Sequence, residues 1–166
     1  MIIYDKDGNS LVEIDGDSLK WADLRWKCLI GAYLGGGDLR RANLTGANLG
    51  GADLGGANLT GANLTGANLT GANLRWAELR WANLTGADFT EADLGGVELT
   101  DANITGADFT GANLTEAELR WANLRKADFR GANLTGAEFI GANLTGANFT
   151  GVDLRGADFT KAIFTE

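Results

Sequence analysis

A five-residue repeat runs through the chain from Ala22 to Glu166 without an insertion or a deletion. Most copies resemble Ala-Asn-Leu-Thr-Gly, and 29 consecutive pentapeptides fit the phase that starts at Ala22. The third position is Leu, Phe or Ile in all 29 copies, and the first position is Ala in 25. Neither a helix of 3.6 residues per turn nor an alternating strand sustains a period of five. A chain that turns a corner every five residues does sustain it.

The first and third positions of each repeat therefore point inward, and the polar positions point outward. Glycine occupies 18 of the 29 fifth positions, which suits a corner that needs a positive φ. On these in-phase copies, residues 22–166 resemble the pentapeptide-repeat family. The resemblance implies a right-handed four-sided β-helix with four pentapeptides per coil. Its inward positions correspond to Leu24 and every fifth residue to Phe164, and to Ala22, Ala32, Ala42 and their successors.

A second spacing, of twenty residues, supports four pentapeptides per coil independently. Stacked coils place residues twenty apart about 4.8 Å from one another, where aromatic rings pack ring on ring. The residues that keep this interval include a predicted core ladder of Phe89, Phe109, Phe129 and Phe149, with Phe139 and Phe159 beside it. The predicted fold is all-β: a parallel β-helix, or solenoid, of about seven coils of twenty residues with an N-terminal β-hairpin cap.

The two ends of the chain differ from the regular coils. In residues 1–21, two apolar stretches flank Asp5-Lys6-Asp7-Gly8-Asn9, which predicts a β-hairpin cap ahead of a repeat domain at residues 22–166. Residues 22–41 form an irregular first coil. The last pentapeptide begins at Ala162 and shows no capping segment, so we expect a homodimer through this uncapped C-terminal coil.

Composition argues against several classes of function. A formal net charge of −8 disfavours nucleic acid and anionic membranes as partners. The chain has no histidine, which removes Ser-His-Asp machinery and the commonest zinc ligand, so we expect neither an enzyme nor a cofactor. The only cysteine, Cys28, fits a reducing compartment, and no stretch has the length or apolarity of a membrane span. A cytoplasmic location is expected.

One outer line of the predicted rod is acidic. Adjacent acids about 4.8 Å apart repel by about 0.9 kcal/mol at the dielectric constant of water. A neighbouring line holds Arg40, Arg80 and Arg120, which can relieve this repulsion. The line is either a solvated face with offsetting charges or a binding site. Its acids are Asp38, Glu78, Glu98, Glu118, Glu138 and Asp158, interrupted only by Asn58.

Arg-Trp pairs end four of the repeats in place of glycine. Trp81 and Trp121, which follow Arg80 and Arg120, lie two coils apart on one edge. Exposed Trp and Arg are enriched at binding hot spots, which makes these four residues candidates for an interaction surface. The alternative is structural: each ring lies over the corner and an arginine lies above it. The other two pairs are Arg25-Trp26 and Arg75-Trp76.

Three functions remain open at this point. The first is a non-enzymatic scaffold or interaction module with an unknown protein partner. The second follows from the family resemblance, because some pentapeptide-repeat proteins mimic B-DNA, bind DNA gyrase and confer quinolone resistance. The third is an ice-binding surface on the Asn-x-Thr array that includes Asn43 and Thr45, although Arg25 and Arg125 interrupt that array.

Overall fold

The computed structural model describes residues 1–165, and these contain two conventional strands and no helix. Strand β1 (Ile2–Tyr4) pairs in antiparallel fashion with strand β2 (Ser10–Glu13). In the turn between them, the Asp5 carboxylate accepts hydrogen bonds from the backbone N–H groups of Asp7 and Asn9, at 2.9 and 2.8 Å. The turn is therefore closed by a local side-chain acceptor, as is typical of aspartate.

The hairpin is joined to the first coil by its backbone and by its apolar side chains. The Tyr33 N–H donates to the Tyr4 carbonyl at 2.8 Å, and Asp5 forms an antiparallel bridge with Ala32. Ile3, from β1, is 3% exposed and belongs to the same core as the coils. The hairpin thus covers part of the first coil.

The rest of the described chain winds into coils of twenty residues. Every parallel bridge joins a second-position residue to the residue twenty positions later, from Asp23 with Asn43 to Asn143 with Ile163. Four pentapeptides therefore complete one coil and form the four sides of a rod. This confirms the four-sided parallel β-helix that the repeat predicts. Glu166, the final residue of the last predicted pentapeptide, lies outside the described residues.

A representative pentapeptide shows why all five residue types recur. The N–H of Asn63 donates to the preceding coil at 2.9 Å, and those of Leu64 and Gly66 donate to the following coil at 2.7 and 2.9 Å. The Ala62 N–H closes the turn onto the preceding repeat at 2.8 Å, and the Thr65 N–H donates to the Asn63 side chain at 3.1 Å. Each of the five backbone donors of this pentapeptide has a partner, as a stacked rod favours.

The fifth position is the corner, and its backbone is left-handed throughout the described repeats. Its φ lies between 55° and 73° at glycines and at other residues alike. A non-glycine residue in this conformation costs about 1–2 kcal/mol. The residues that accept this cost are Trp26, Arg41, Trp76, Trp81, Glu91, Asp101, Glu116, Trp121, Lys126 and Lys161.

The core is a set of stacked columns. The rings of Phe89 and Phe109 lie 4.9 Å apart and nearly parallel, and the stack continues to Phe129 at 5.1 Å. Phe139 meets this column edge to face, with its ring centroid 6.0 Å from that of Phe129. Third-position residues from Leu24 to Leu144 are at most 4% exposed, so the core is dry along this length.

Part of the repeat geometry extends to the residues just before Ala22, although the first parallel bridge joins Asp23 to Asn43. The Lys20 N–H donates to Ser18 Oγ at 3.1 Å, and the Ala22 N–H donates to the Leu19 carbonyl at 3.0 Å. Trp21 has a φ of 63° and donates its N–H to Arg40 in the next coil. Residues 18–21 therefore have repeat geometry, although no alanine marks the start of that repeat.

Candidate functional site

The acidic line of the sequence forms a continuous column on one side of the rod, here called the acidic face. Parallel bridges link its members in order: Asp38, Asn58, Glu78, Glu98, Glu118, Glu138 and Asp158. The fourth-position residues Arg40, Arg80 and Arg120 lie beside this column. The structure therefore brings the predicted acids and arginines onto one surface.

The four glutamates of this face break the hydrogen-bonding rule of the second position. Every Asn or Asp at a second position from Asp23 to Asp158 accepts a hydrogen bond from the N–H two residues later. Within residues 1–165, the glutamate side chains accept no such bond, because the added methylene carries the carboxylate past the N–H. Their carboxylates are directed to other contacts. The four are Glu78, Glu98, Glu118 and Glu138.

Two arginines bridge the glutamates in pairs. Arg80 lies 2.7 Å from Glu98 and 3.4 Å from Glu78. Arg120 donates from Nε to Glu138 at 2.6 Å and lies 3.9 Å from Glu118, and the Glu138 carboxylate raises the Arg120 pKa. The arginines thus offset the repulsion within each pair. These ion pairs are partly exposed, so their contribution to stability is small.

The gap between the two bridged pairs lies at the middle of the acidic face. Thr100, rather than arginine, occupies the fourth position between Glu98 and Glu118. No ion pair among the described residues joins these two glutamates. Because four glutamates share two arginines, this part of the face keeps a net negative charge.

The Arg-Trp pairs divide by what lies next to each indole ring. A Cβ built on Gly141 would lie 2.2 Å from the Trp121 ring, which shows that the ring lies directly on this glycine of the next coil. Trp26 lies on Gly46 and Trp76 lies on Gly96 in the same manner. Each of these three rings packs against a glycine that has no side chain to displace it, and this contact is here called a glycine seat.

Family comparison agrees with this geometry. The model for pentapeptide repeats matches overlapping segments that together span residues 22–166. The chain belongs to the pentapeptide-repeat family. Membership in this family implies that the four-sided β-helix is right-handed, and the predicted fold class is confirmed. No curated protein sequence matches the chain.

Two solved pentapeptide-repeat structures are similar to it. HetL, a protein involved in heterocyst differentiation regulation in the cyanobacterium Nostoc sp. strain PCC 7120, is 36% identical with a TM-score of 0.59. The match covers 87% of this chain and 73% of HetL. QnrB1, a plasmid-mediated fluoroquinolone resistance protein, is 21% identical with a TM-score of 0.59, over 81% of this chain and 77% of QnrB1. At that identity the second likeness shows the fold alone.

Within this pentapeptide-repeat protein, Trp81 differs from the other Arg-Trp pairs. The next residue in its corner column is Asp101, so its ring has no glycine seat, and it is 63% exposed. The predicted arrangement of arginine above the ring is wrong for all four pairs. Among the described residues the one cation–π contact is between Arg41 and Trp21, outside those pairs.

The other surfaces have local structural explanations. The Thr45 hydroxyl donates to Asn43 at 2.7 Å, and Thr85 bonds Asn83 in the same way, so the Asn-x-Thr side has hydroxyl groups already engaged. Cys28 is exposed and unpaired. Residues 1–165 contain no cluster of potential metal ligands, and no helix there is suited to crossing a membrane.

Sequence reasoning missed the glycine seats, although a signal for them was present. Each seated tryptophan is followed twenty residues later by glycine, whereas Trp81 is followed by Asp101 and Trp21 by Arg41. Once the coil length is known, this spacing separates the packed rings from the unseated ones. Trp81, whose ring does not lie on a glycine, is an aromatic side chain 63% exposed that directly follows Arg80 of the acidic face.

Proposed function

We propose that this chain is a non-enzymatic scaffold that binds a protein partner through its acidic face. The observation that carries the proposal is the loss of the local hydrogen bond at four successive glutamates. Asparagine or aspartate at these positions would satisfy the neighbouring N–H, and asparagine would also remove like charge from the column. Stability alone therefore does not favour glutamate at these positions. The acidic face departs from the Asn or Asp pattern of the other second positions in four consecutive coils. We infer that binding, rather than stability, determines the choice of glutamate there.

Trp81 supports the same surface. Tryptophan and arginine are the side chains most enriched among residues that dominate binding energy. Arg80 bridges Glu78 and Glu98, and the exposed Trp81 follows it in sequence, so an aromatic side chain, a cation and two carboxylates occur within one coil spacing. The likeness to HetL, which is involved in the regulation of a differentiation process, also favours a regulatory partner over a substrate.

DNA gyrase is the alternative partner that the family implies. Duplex DNA carries one charge per about 1.7 Å, or roughly twenty charges over the roughly 35 Å length expected for this rod. The chain has a formal net charge of −8, and arginines bridge the central acids. The net charge of the rod is less than half that of a DNA duplex of the same length, so we favour a protein partner other than gyrase.

The decisive experiment changes the acidic face without changing the fold. An acidic-face variant carries Asn at positions 78, 98, 118 and 138, which restores the local acceptor at each one. A control variant carries Asp88→Asn, Asp108→Asn and Asp128→Asn on the opposite side, where the local acceptor is kept. We expect a partner retained from an extract of the source organism by wild type and control to be lost from the acidic-face variant. Affinity with the purified partner should fall by at least about 100-fold, because several contacts are removed together.

Either of two results would contradict this proposal. Equal retention by both variants would place the binding surface elsewhere. Inhibition of purified gyrase in a supercoiling assay, or its protection from a quinolone, would favour the alternative partner instead.

We also propose that two copies associate through the coil formed by residues 147–165. Its inward third-position side chains are less covered than those of the other coils, with Leu154 38% and Phe164 57% exposed, and the outward Ile163 beside them is 50% exposed. We expect sedimentation at micromolar concentration to give the mass of two chains, and Phe164→Lys to give the mass of one. A single-chain mass for the unmodified protein at tens of micromolar would rule out this association.

A further inference from the structure

The first coil is positively charged in an otherwise acidic protein. Residues 17–41, the first coil with the pentapeptide before it, carry five basic and three acidic side chains, a net charge of +2, whereas the whole chain has a net charge of −8. This reversal coincides with the coil whose repeats are least regular. It therefore marks a second surface whose charge differs from that of the acidic face.

Three of these cations line one cleft at the edge of the coil. The cleft has a volume of about 360 Å³ and is lined by Lys20, Trp21, Arg40, Arg41 and Thr60. The Arg41 guanidinium lies over the Trp21 ring, 4.7 Å from its centroid. Stacking of this kind holds a guanidinium in a fixed plane while its N–H groups stay available at the edge.

The cleft has more cationic groups than its own acids can pair. Arg40 donates to Asp38 from Nε at 2.8 Å and from Nη2 at 2.6 Å, and this contact lowers the Asp38 pKa to about 2. Within residues 1–165, neither Lys20 nor Arg41 lies within ion-pair distance of a carboxylate. Asp38 is thus ion-paired with Arg40, and the nearby charge of Lys20 also helps to lower its pKa, while Lys20 and Arg41 make no direct ion pair among the described residues.

A free hydroxyl completes the set of donors. Most threonines at fourth positions donate their hydroxyl to the preceding Asn, as Thr65 does to Asn63 at 2.7 Å. The Thr60 hydroxyl makes no hydrogen bond with any described residue, although the Thr60 N–H is bonded to Asn58. Thr60 therefore presents an unused donor to the same cleft as Lys20 and Arg41.

We propose that this cleft binds a phosphate group. A stacked guanidinium supplies paired N–H donors that match the spacing of phosphate oxygens, and an ammonium and a hydroxyl supply the remaining donors. Arg41 occupies a corner with a φ of 58°, where glycine is the residue that avoids strain. Arg41, the Trp21 ring beneath it and Thr60 all line the one cleft in which the phosphate would bind. The cleft adjoins the end of the acidic face that contains Asp38 and Arg40, but its binding of an anion does not depend on the proposed protein partner.

Titration with inorganic phosphate and with pyrophosphate tests the site directly. Binding is followed at low ionic strength by calorimetry and by the NMR signal of the Trp21 indole N–H, which a Trp21→Phe variant identifies. We expect saturable 1:1 binding that shifts this signal. Arg41→Gln and, separately, Lys20→Gln should each weaken binding by about tenfold or more, because each removes a charged donor.

The control is a pair of cations at equivalent repeat positions that do not line this cleft. Arg125 and Lys126 occupy the fourth and fifth positions of their repeat, as Arg40 and Arg41 do. The double variant Arg125→Gln and Lys126→Gln should bind both anions as wild type does. Lys20→Gln leaves the Arg41 stack intact, so it separates lost binding from a disturbed coil. No saturable binding of either anion, or equal weakening in the control, would overturn the proposal.

Discussion

Replacing Phe109 with alanine is expected to lower the free energy of unfolding by about 3–5 kcal/mol. The side chain is 0% exposed, and its ring is stacked between those of Phe89 and Phe129 at 4.9 and 5.1 Å. Alanine at this site leaves a cavity that cannot collapse, because backbone hydrogen bonds hold the coils above and below at a fixed spacing. Two stacking contacts are lost together with the buried area. Urea unfolding, monitored by circular dichroism, measures the change.

Two further variants show whether burial in the column is the cause. Phe164→Ala removes the same atoms from a side chain that is 57% exposed, and we expect a loss of less than about 1 kcal/mol in a monomeric sample. Phe109→Leu inserts the residue that most repeats carry and should cost about 1–1.5 kcal/mol, since the cavity is smaller. A Phe109→Ala protein no less stable than Phe164→Ala would show that the column does not carry the stability.

The coil was predictable because one residue type serves one structural role at each position. The positions held by Ala62 and Leu64 point inward in every repeat, and the position held by Gly66 turns a corner. The period of five is therefore directly apparent in the amino-acid sequence. The spacing of Phe89 and Phe109 then reports the coil length, since rings stack only on the residue directly above. Periodicity reveals the parts of a fold that every repeat shares.

The exceptions were not predictable in the same way, because they depend on where a side chain points. Aspartate and glutamate look equivalent on a charge plot, yet Asp108 bonds the Thr110 N–H at 2.8 Å and Glu118 makes no such bond to Arg120. The extra methylene of glutamate causes this difference. It cannot be recognised from the sequence, because the position of the backbone N–H relative to the carboxylate is known only from the structure. The anion cleft was missed for a related reason. Trp21 precedes the first recognised alanine, so its place in the corner column was known only from its backbone.

The sequence left open whether the tryptophans pack against the rod or bind a partner. The structure separates them into two groups. A Trp ring that lies on glycine packs against the next coil, so its partial exposure does not indicate a binding role. A ring followed by aspartate has no such seat and is available to a partner. Trp121 belongs to the first group and Trp81 to the second, although both follow arginine on the same edge. The distinction can be tested on the glycine rather than on the tryptophan.

Gly141→Ala is expected to lower the free energy of unfolding by about 2–4 kcal/mol. About 1 kcal/mol arises from placing a Cβ at a φ of 69°. The remainder, about 1–3 kcal/mol, arises because that Cβ would lie 2.2 Å from the Trp121 ring, which must leave its seat. Gly106→Ala is the matched control, since its φ is 66° and nothing lies within 4 Å of the added atom.

A double-mutant cycle separates the clash from the backbone strain. In a Trp121→Gly background the seat is empty, so Gly141→Ala should cost no more than Gly106→Ala does in the wild type. The difference between the two backgrounds is the coupling energy between ring and seat, and residues in direct contact couple by about 0.5–3 kcal/mol. Equal costs in both backgrounds would mean that Trp121 is not held on Gly141, and it would then join Trp81 as an aromatic side chain available to a partner. A clear coupling leaves Trp81 as the unseated ring of the acidic face and the first side chain to remove in a search for lost binding.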